Sequence, residues 1–192
     1  MTGPATPNAG ETLPDLLRDA LRVVFVGINP SLFSVARGHY FARRSNRFWP
    51  CLSRSNLSAP ARRALGVERL EPDHDRLLPD YGFGFTDLCK RPTARVTDLA
   101  PGELANGVVA LAAKLEHYKP HVACFHGITG YRHVLRKMMS GAAEPRLGPQ
   151  PLRIGATHCY VVPNPSGANA HFTPADQTRW YDRLAEELNL EA

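Results

Sequence analysis

The sequence predicts a single α/β domain built on a central, mainly parallel sheet with helices on both faces. Short runs rich in β-branched and aromatic residues alternate with segments whose apolar residues recur at helical spacing. Such alternation is typical of parallel sheets whose two faces are covered by helices. The chain has 192 residues, of which 43% are hydrophobic and 21% charged, so it can bury a substantial core.

The first elements are a helix and three strands. The apolar spacing of LPDLLRDAL predicts a helix over 13–21, and RVVFVG predicts a buried strand that ends at Gly27. GFGFTDL (82–88) and HVACFHG (121–127) predict the second and third strands. LRIGATHCYVVPN (152–164) predicts either a hairpin or two edge strands.

Three further helices are predicted. PGELANGVVALAAKLEHY (101–118) has an acidic first turn and apolar residues at i, i+3 and i+4 spacing. A second helix is predicted over 129–140. The last runs from 174 to 188, with Thr173 as its N-cap and Pro174 at its first helical position.

The N-terminal residues are predicted to be a tail. Residues 1–12 are rich in Pro, Gly, Thr and Ala, so we expect them to be flexible and the catalytic domain to span 13–192. The start lacks the basic and apolar regions of a secretory signal, and no run approaches the roughly 18 apolar residues that cross a bilayer. We therefore expect a cytoplasmic protein without a membrane partner.

The cysteines and histidines argue against a metal or iron–sulfur site. The four cysteines are far apart and form no C-x-x-C pair, and the eight histidines show no metal-ligand pattern. Cys124 and Cys159 lie inside predicted strands, where a free thiol packs as a small apolar group. We expect reduced, structural thiols and no cofactor.

The net charge of +5 is unevenly distributed. Between Asp19 and Glu68 there is no acidic residue. That stretch contains Arg22, Arg37, Arg43, Arg44, Arg47, Arg54, Arg62 and Arg63. Phe41, Phe48 and Trp49 are interleaved with these arginines, a combination suited to gripping phosphates and stacking on bases. The alternative is a solvated basic face without a partner.

The loops after the strands are the expected functional segments, because sites in open parallel sheets lie beyond the carboxyl ends of the strands. These loops are GINPSL, TDLCKRPT, HGITGYR and PNPSGANAHF. HGITGYR lacks the spacing and the Lys of a phosphate loop and predicts a strand-to-helix turn, and no G-x-S-x-G elbow is present. Candidate chemistry therefore lies with Asn29, Asp87 and the NPSG loop.

The two polar side chains suit different tasks. The amide of Asn29 can orient a water or donate to a developing anion, but it is not a base at neutral pH. Asp87 can accept a proton from such a water or stabilise a cation, although a strand-end Asp is also common as a turn or capping residue.

Four segments resemble, in order, the motifs of the mismatch-specific uracil-DNA glycosylases, a group that includes thymine-DNA glycosylase. These segments are RVVFVGINPSL, FARRSNRFWP, GFGFTDLCKRPT and VVPNPSG, and the resemblance covers roughly residues 20–170. It implies the uracil-DNA glycosylase fold and flipping of a damaged base out of double-stranded DNA that contains uracil or mismatches, before cleavage of the N-glycosidic bond. Single-stranded DNA is a second candidate substrate. We expect the protein to be a monomer.

The resemblance also implies roles for individual residues. Asn29 matches the Asn that positions the attacking water, the backbone of Ile28 lines the base pocket, and Phe41 matches the aromatic ring that stacks on the flipped base. The expected base pocket comprises Gly27, Ile28, Ser31, Ser34 and Phe41. The expected DNA-binding residues are Arg43, Asn46, Arg47, Lys90, Asn164, Pro165, Ser166, Gly167, Ala168 and Asn169.

Two departures from the family pattern concern steric fit. Ser31 stands where the family has a second Gly, close to the base. Ala168 stands where bacterial members have a bulky wedge, so the wedge is either weaker or supplied by Asn169, His171 or Phe172.

The third departure concerns the chemistry. Asp87 stands where a familiar bacterial relative has Lys, and its carboxylate would supply the general base that Asn29 cannot. We hypothesise that Asp87 is catalytic, with Asn29 or in place of it. Because a chain of this family without a suitably placed Lys nucleophile should not nick the strand, we expect a monofunctional glycosylase that leaves an abasic site. The alternatives are a non-catalytic module that binds mismatched or damaged DNA, and a small-molecule hydrolase or nucleotide enzyme.

Overall fold

The computed structural model describes residues 11–139 and 144–189, so most of the predicted tail lies outside the described residues. One five-stranded sheet has the order β2-β1-β3-β5-β4. The strands are β1 (Val23–Gly27), β2 (Phe83–Asp87), β3 (Val122–His126), β4 (Gly148–Ile154) and β5 (Thr157–Val162). Neighbours pair in parallel except β4, which is antiparallel to β5. The predicted hairpin over 152–164 is confirmed, and of its two strands β4 lies at an edge of the sheet while β5 lies inside it.

The helices are α1 (Leu32–Arg37), α2 (Phe48–Arg54), α3 (Ala59–Leu65), α4 (Pro101–Tyr118), α5 (Ile128–Met138) and α6 (Pro174–Glu187). Short 3-10 turns span Asn56–Ser58, Pro72–His74, Leu78–Tyr81 and Val96–Asp98. The three helices predicted after the second strand are confirmed as α4, α5 and α6. Thr173 caps α6 by accepting a hydrogen bond from the backbone N–H of Asp176.

Helices cover both faces of the sheet, which confirms the predicted α/β architecture. On one face Phe25 of β1 packs against Phe48 of α2 and Tyr181 of α6. On the other face Val24 packs with residues of α4 and α5, such as Leu111. Successive residues of a strand point to opposite faces, so one fully buried strand supplies both cores.

The predicted helix over 13–21 is wrong. Residues 13–18 are not helical and residues 19–20 form a turn. Leu16 pairs antiparallel with Phe85 through backbone hydrogen bonds of 2.9 and 3.0 Å. Gly84 permits the close crossing, because a Cβ at that position would lie 2.6 Å from the Leu16 carbonyl oxygen. β2 is an edge strand, and covering it with a partner segment outweighs the weak helical preference of a short sequence.

The cysteines are free and buried, as expected for Cys124 in β3 and Cys159 in β5. Burial raises the pKa of both thiols, so they remain protonated. Among the described residues no group of three or more His, Cys, Asp or Glu side chains is arranged to hold a metal ion. The same part of the chain contains no helix long and apolar enough to cross a bilayer.

Candidate active site

A cavity of about 490 Å³ opens at the carboxyl ends of the parallel strands. Its volume falls within the range of small-molecule sites, about 300–1,000 Å³. Residues from all four predicted loops line it, including both expected catalytic residues and the whole expected base pocket. Of the expected site residues, Arg47, Lys90, Gly167 and Asn169 do not line it.

Asn29 is fixed in place by the loop that follows β2. Its side-chain NH₂ donates to Thr93 Oγ1 at 2.7 Å and to the Arg91 carbonyl at 3.0 Å. The backbone N–H of Thr93 in turn donates to the Pro30 carbonyl at 3.2 Å, so the two loops are joined directly. With its NH₂ engaged, Asn29 has Oδ1 as the acceptor available to a water, in keeping with the role that the sequence predicts.

Asp87 ends β2 beside Asn29 and is only 4% exposed. Its Oδ2 has no hydrogen-bond partner among the described residues. Burial raises the pKa of Asp87 to about 6, against the opposing attraction of the Lys90 ammonium. The carboxylate is therefore mostly ionised at neutral pH and remains basic enough to accept a proton.

Two basic residues that were expected to contact DNA point into the protein. The guanidinium of Arg47 donates to the carbonyls of Phe172 at 2.6 Å, Asn169 at 3.1 Å and Gly167 at 3.4 Å. The Lys90 ammonium lies against carboxylates beneath the cavity. Direct phosphate contacts by these two residues stay predictions.

Phe41 has the geometry of a stacking platform. Its φ of +52° is unusual for a residue with a side chain and is typical of residues constrained at a site. One face of the ring stacks on Phe48, with centroids 4.3 Å apart. The edge of His126 meets it at 5.1 Å. The ring is thus held rigidly at the cavity wall, where a planar base can stack on it.

His126 ends β3 in the cavity and is not among the site residues expected from the sequence. Its Nε2 lies 3.0 Å from the Tyr181 hydroxyl, and burial lowers the pKa of the imidazole to about 3, so the ring is neutral. The signal that could have found it is its position, because it ends a parallel strand at the same edge as Asp87.

Ser31 has a structural reason to replace the Gly of the family pattern. Its Oγ accepts a hydrogen bond from the Ser34 N–H at 3.1 Å and caps α1. The Ser34 hydroxyl accepts one from the Ala42 N–H at 3.3 Å, which links the cap to the segment that carries Phe41. The extra side chain is thus engaged in local hydrogen bonds.

The NPSG loop is internally ordered and packs against the segment after α1. Asn164 Oδ1 accepts a hydrogen bond from the Ser166 N–H, and Asn169 Nδ2 donates to the Asn164 carbonyl, both at 2.9 Å. Gly167 approaches the Ser45 carbonyl so closely that a Cβ would overlap it. Ala168 is exposed at the rim of the cavity, where the bulky wedge was expected.

The rim of the cavity carries positive charge. Arg43 is exposed and its guanidinium lies 5.8 Å from the centre of the Phe33 ring. Arg95, which no sequence motif indicated, also lines the cavity and is exposed, and its guanidinium lies 3.5 Å from Asp98 Oδ1. Arg91 instead forms a two-point ion pair with Glu103, at 2.5 and 2.7 Å, that holds the loop after β2. The rim suits an anionic ligand.

A fixed amide, a buried carboxylate and an aromatic platform around one cavity define an α/β protein with an enzyme-like site at its strand ends. Residues 14–188 match the family described as the uracil DNA glycosylase superfamily. The chain belongs to this superfamily, which confirms the resemblance seen in its motifs.

A curated relative gives the comparison more detail. The G/U mismatch-specific uracil DNA glycosylase of Schizosaccharomyces pombe is 32% identical over 186 residues. The match covers 95% of this chain and 55% of that protein, so the chain spans little more than half the length of its relative.

Proposed function

We propose that this protein is a monofunctional DNA glycosylase that excises uracil, notably from G·U mismatches, and leaves an abasic site. The name of the Schizosaccharomyces pombe relative describes this activity, and superfamily membership supports it. The observation that carries the proposal is the joint presence of Asn29 and Asp87 at one cavity whose wall is the Phe41 ring. Other damaged pyrimidines and single-stranded DNA remain candidate substrates.

The proposed binding step is base flipping. The exposed rim arginines Arg43 and Arg95 attract the phosphates, and the mismatched base leaves the duplex because its pairing costs less to open. The base enters the cavity and stacks on Phe41. The NPSG loop presses against the duplex and occupies the gap that the flipped base leaves.

The proposed chemical step is hydrolysis at the sugar carbon C1′. Asn29 Oδ1 orients a water, and Asp87 accepts a proton from it. The water oxygen bonds to C1′ while the bond between C1′ and the base nitrogen breaks, and the bonding electron pair leaves with the base. The Asp87 carboxylate also stabilises the positive charge that develops on the sugar. The base anion takes up a proton from solvent and the protonated Asp87 releases its proton to solvent, so one water is consumed and the free base and the abasic sugar are formed.

The test is release of uracil by the purified protein from a duplex with one central G·U pair. We expect a product that alkali cleaves at the abasic site, and no strand break before alkali. Asp87→Ala and Asn29→Ala are expected to lose this activity while still binding the duplex. Wild-type turnover by Asp87→Ala would refute the role given to that carboxylate.

The same preparation separates the alternatives. Tight binding of the G·U duplex without any alkali-labile product would identify a non-catalytic damage-binding module instead. A small-molecule enzyme would bind mononucleotides and show little salt-dependent affinity for DNA, whereas a glycosylase loses DNA affinity steeply as salt rises.

A further inference from the structure

The Lys90 ammonium is held beneath the cavity by two partners of its own. Its Nζ lies 2.9 Å from Asp15 Oδ1 and donates to the Tyr40 hydroxyl at 3.1 Å. The distance from Nζ to Asp87 Oδ2 is 3.6 Å, which is too long for a hydrogen bond. The ammonium is therefore close to the Asp87 carboxylate but is not hydrogen-bonded to it.

Asp15 anchors this arrangement from the extended N-terminal segment. Its Oδ1 also accepts a hydrogen bond from the Thr86 hydroxyl at 2.7 Å, and its Oδ2 lies 2.5 Å from Lys114 Nζ on α4. Burial opposes ionisation of Asp15, but the contacts with Lys114 and Lys90 outweigh it and lower its pKa below the ordinary value. Asp15 thus stays charged and keeps Lys90 in place.

We propose, building on the function proposed above, that Asp15 and Tyr40 are positioning residues that hold the Lys90 ammonium close enough to Asp87 to stabilise its carboxylate, but without a hydrogen bond to it. At 3.6 Å the ammonium stabilises the carboxylate by Coulomb attraction. A direct hydrogen bond would instead stabilise the ionised carboxylate further and make it a weaker base toward the proton of the attacking water. Oδ2 is buried and has no hydrogen-bond partner in the described part of the chain, so the nearby ammonium acts on it through charge alone.

Removing Lys90 and removing Asp15 should therefore change the pH profile in opposite directions. Lys90→Met leaves the buried Asp87 without its nearest cation, so the acid limb of the kcat profile moves to higher pH by about one to three units. Asp15→Asn frees the ammonium to close onto Oδ2. The acid limb then moves to lower pH, and the plateau value of kcat falls.

The other titratable groups around Asp87 do not change the directions in which the acid limb is expected to move in the two variants. Lys114 lies on the far side of Asp15 and attracts Asp87 more weakly than Lys90 does. The pKa of the Tyr40 hydroxyl is raised by burial and by the nearby carboxylates, so it stays protonated. His126 is neutral because burial lowers its pKa to about 3.

The experiment compares kcat and KM across acid to alkaline pH for wild type, Lys90→Met, Asp15→Asn and Tyr40→Phe on the G·U duplex. Lys137→Met is the matched control, because it removes the same charge from an exposed site on α5. Tyr40→Phe keeps the ring and should move the limb in the same direction as Asp15→Asn, which covers the case that Asp15→Asn does not fold. We expect the acid limb of the kcat profile to move to higher pH in Lys90→Met and to lower pH in Asp15→Asn, with KM unchanged in both.

A phosphate contact by Lys90 would give a different result. Lys90→Met would then leave the acid limb in place, weaken DNA binding and reduce the salt dependence by about one ion. That outcome would overturn the positioning roles of Asp15 and Tyr40.

A second readout does not need turnover. Carbon-13 NMR titration of the Asp87 carboxylate should show the same opposed displacements in Lys90→Met and Asp15→Asn. If they appear in a protein that excises no base, the electrostatic positioning stands and the proposed function fails. If the two variants titrate alike, the positioning is refuted even in an active enzyme.

Discussion

The Asp87 carboxylate lies directly against Gly27. The two residues are register partners on the neighbouring parallel strands β1 and β2, and a Cβ added to Gly27 would overlap Asp87 Oδ1. The glycine is therefore required by the close approach of a side chain across the sheet. The stretch GINP thus contributes to the site twice, since Asn29 binds the loop after β2 and Gly27 makes room for the carboxylate.

Gly27→Ala is expected to displace Asp87 and lower kcat by about 100-fold, because misplacing a reacting group by roughly 1 Å has that order of effect. Uracil release under single-turnover conditions measures it. Gly102→Ala is the matched control, since nothing lies within 4 Å of its added Cβ in α4. An active Gly27→Ala enzyme would show that the carboxylate need not occupy its observed position.

Asp87→Asn is expected to abolish activity and to stabilise the protein at alkaline pH. The folded-state pKa of Asp87 is raised from 3.8 to about 6, so its stabilising contribution is present below about pH 4 and is lost as pH rises through 6. The variant should therefore unfold with a free energy higher by up to about 3 kcal/mol at pH near 8, and this gain should vanish near pH 4.

Urea denaturation of wild type and Asp87→Asn at both pH values measures this difference. The exposed Asp19→Asn is the control and should change stability by less than about 0.5 kcal/mol at either pH. A less stable Asp87→Asn variant at alkaline pH would contradict the raised pKa.

Thr93→Val is expected to lower kcat about fivefold with KM unchanged. It removes the 2.7 Å hydrogen bond that fixes the Asn29 amide, and one such bond contributes about 1 kcal/mol. Steady-state kinetics on the G·U duplex measures the two constants separately. The exposed Thr97→Val is the control for the loss of a hydroxyl. A rise in KM alone would show that Thr93 serves DNA binding rather than orientation of Asn29.

The sequence predicted the strand-end loops because Gly27, Asp87 and Asn164 each follow a buried apolar run, and the ends of parallel strands meet at one edge. It could not predict the contacts of Asp15. The local pattern around Asp15 indicates a helix, whereas pairing with the edge strand β2 extends it and directs its carboxylate toward Lys90. Side-chain direction likewise depends on tertiary contacts, so the motif could not show that Lys90 points inward.

Ala168→Leu is expected to increase uracil release from fully paired A·U sites more than from G·U sites. Ala168 is exposed at the cavity rim, and a larger side chain there can fill the gap left by the flipped base. Opening an A·U pair costs more free energy than opening a G·U mismatch. Uracil release from A·U sites therefore gains more when a side chain fills the gap. The ratio of the two single-turnover rates measures the effect, with the nearby exposed Ala170→Leu as control. An unchanged ratio would place the wedge elsewhere in the loop.

Arg47→Ala is expected to destabilise the protein by about 2 kcal/mol and to loosen the loop 164–172. Its guanidinium donates to three carbonyls of that loop, and its own N–H donates to the Pro165 carbonyl at 2.8 Å. Only the side-chain bonds are lost on substitution, and a hydrogen bond to a charged group makes a net contribution of about 1.5–3 kcal/mol. Arg47→Lys should lower the free energy of unfolding by nearly as much, because an ammonium cannot donate to all three carbonyls in the same geometry.

Urea denaturation measures the stability of the Arg47 variants, and hydrogen exchange of the loop amides measures its opening. Arg44→Ala, an exposed arginine of the same segment, is the control and should change neither. If Arg47→Ala weakens DNA binding while stability and loop protection stay at wild-type values, Arg47 acts on phosphate and not on the loop. If protection falls together with DNA affinity, the guanidinium supports binding by ordering the segment that enters the duplex.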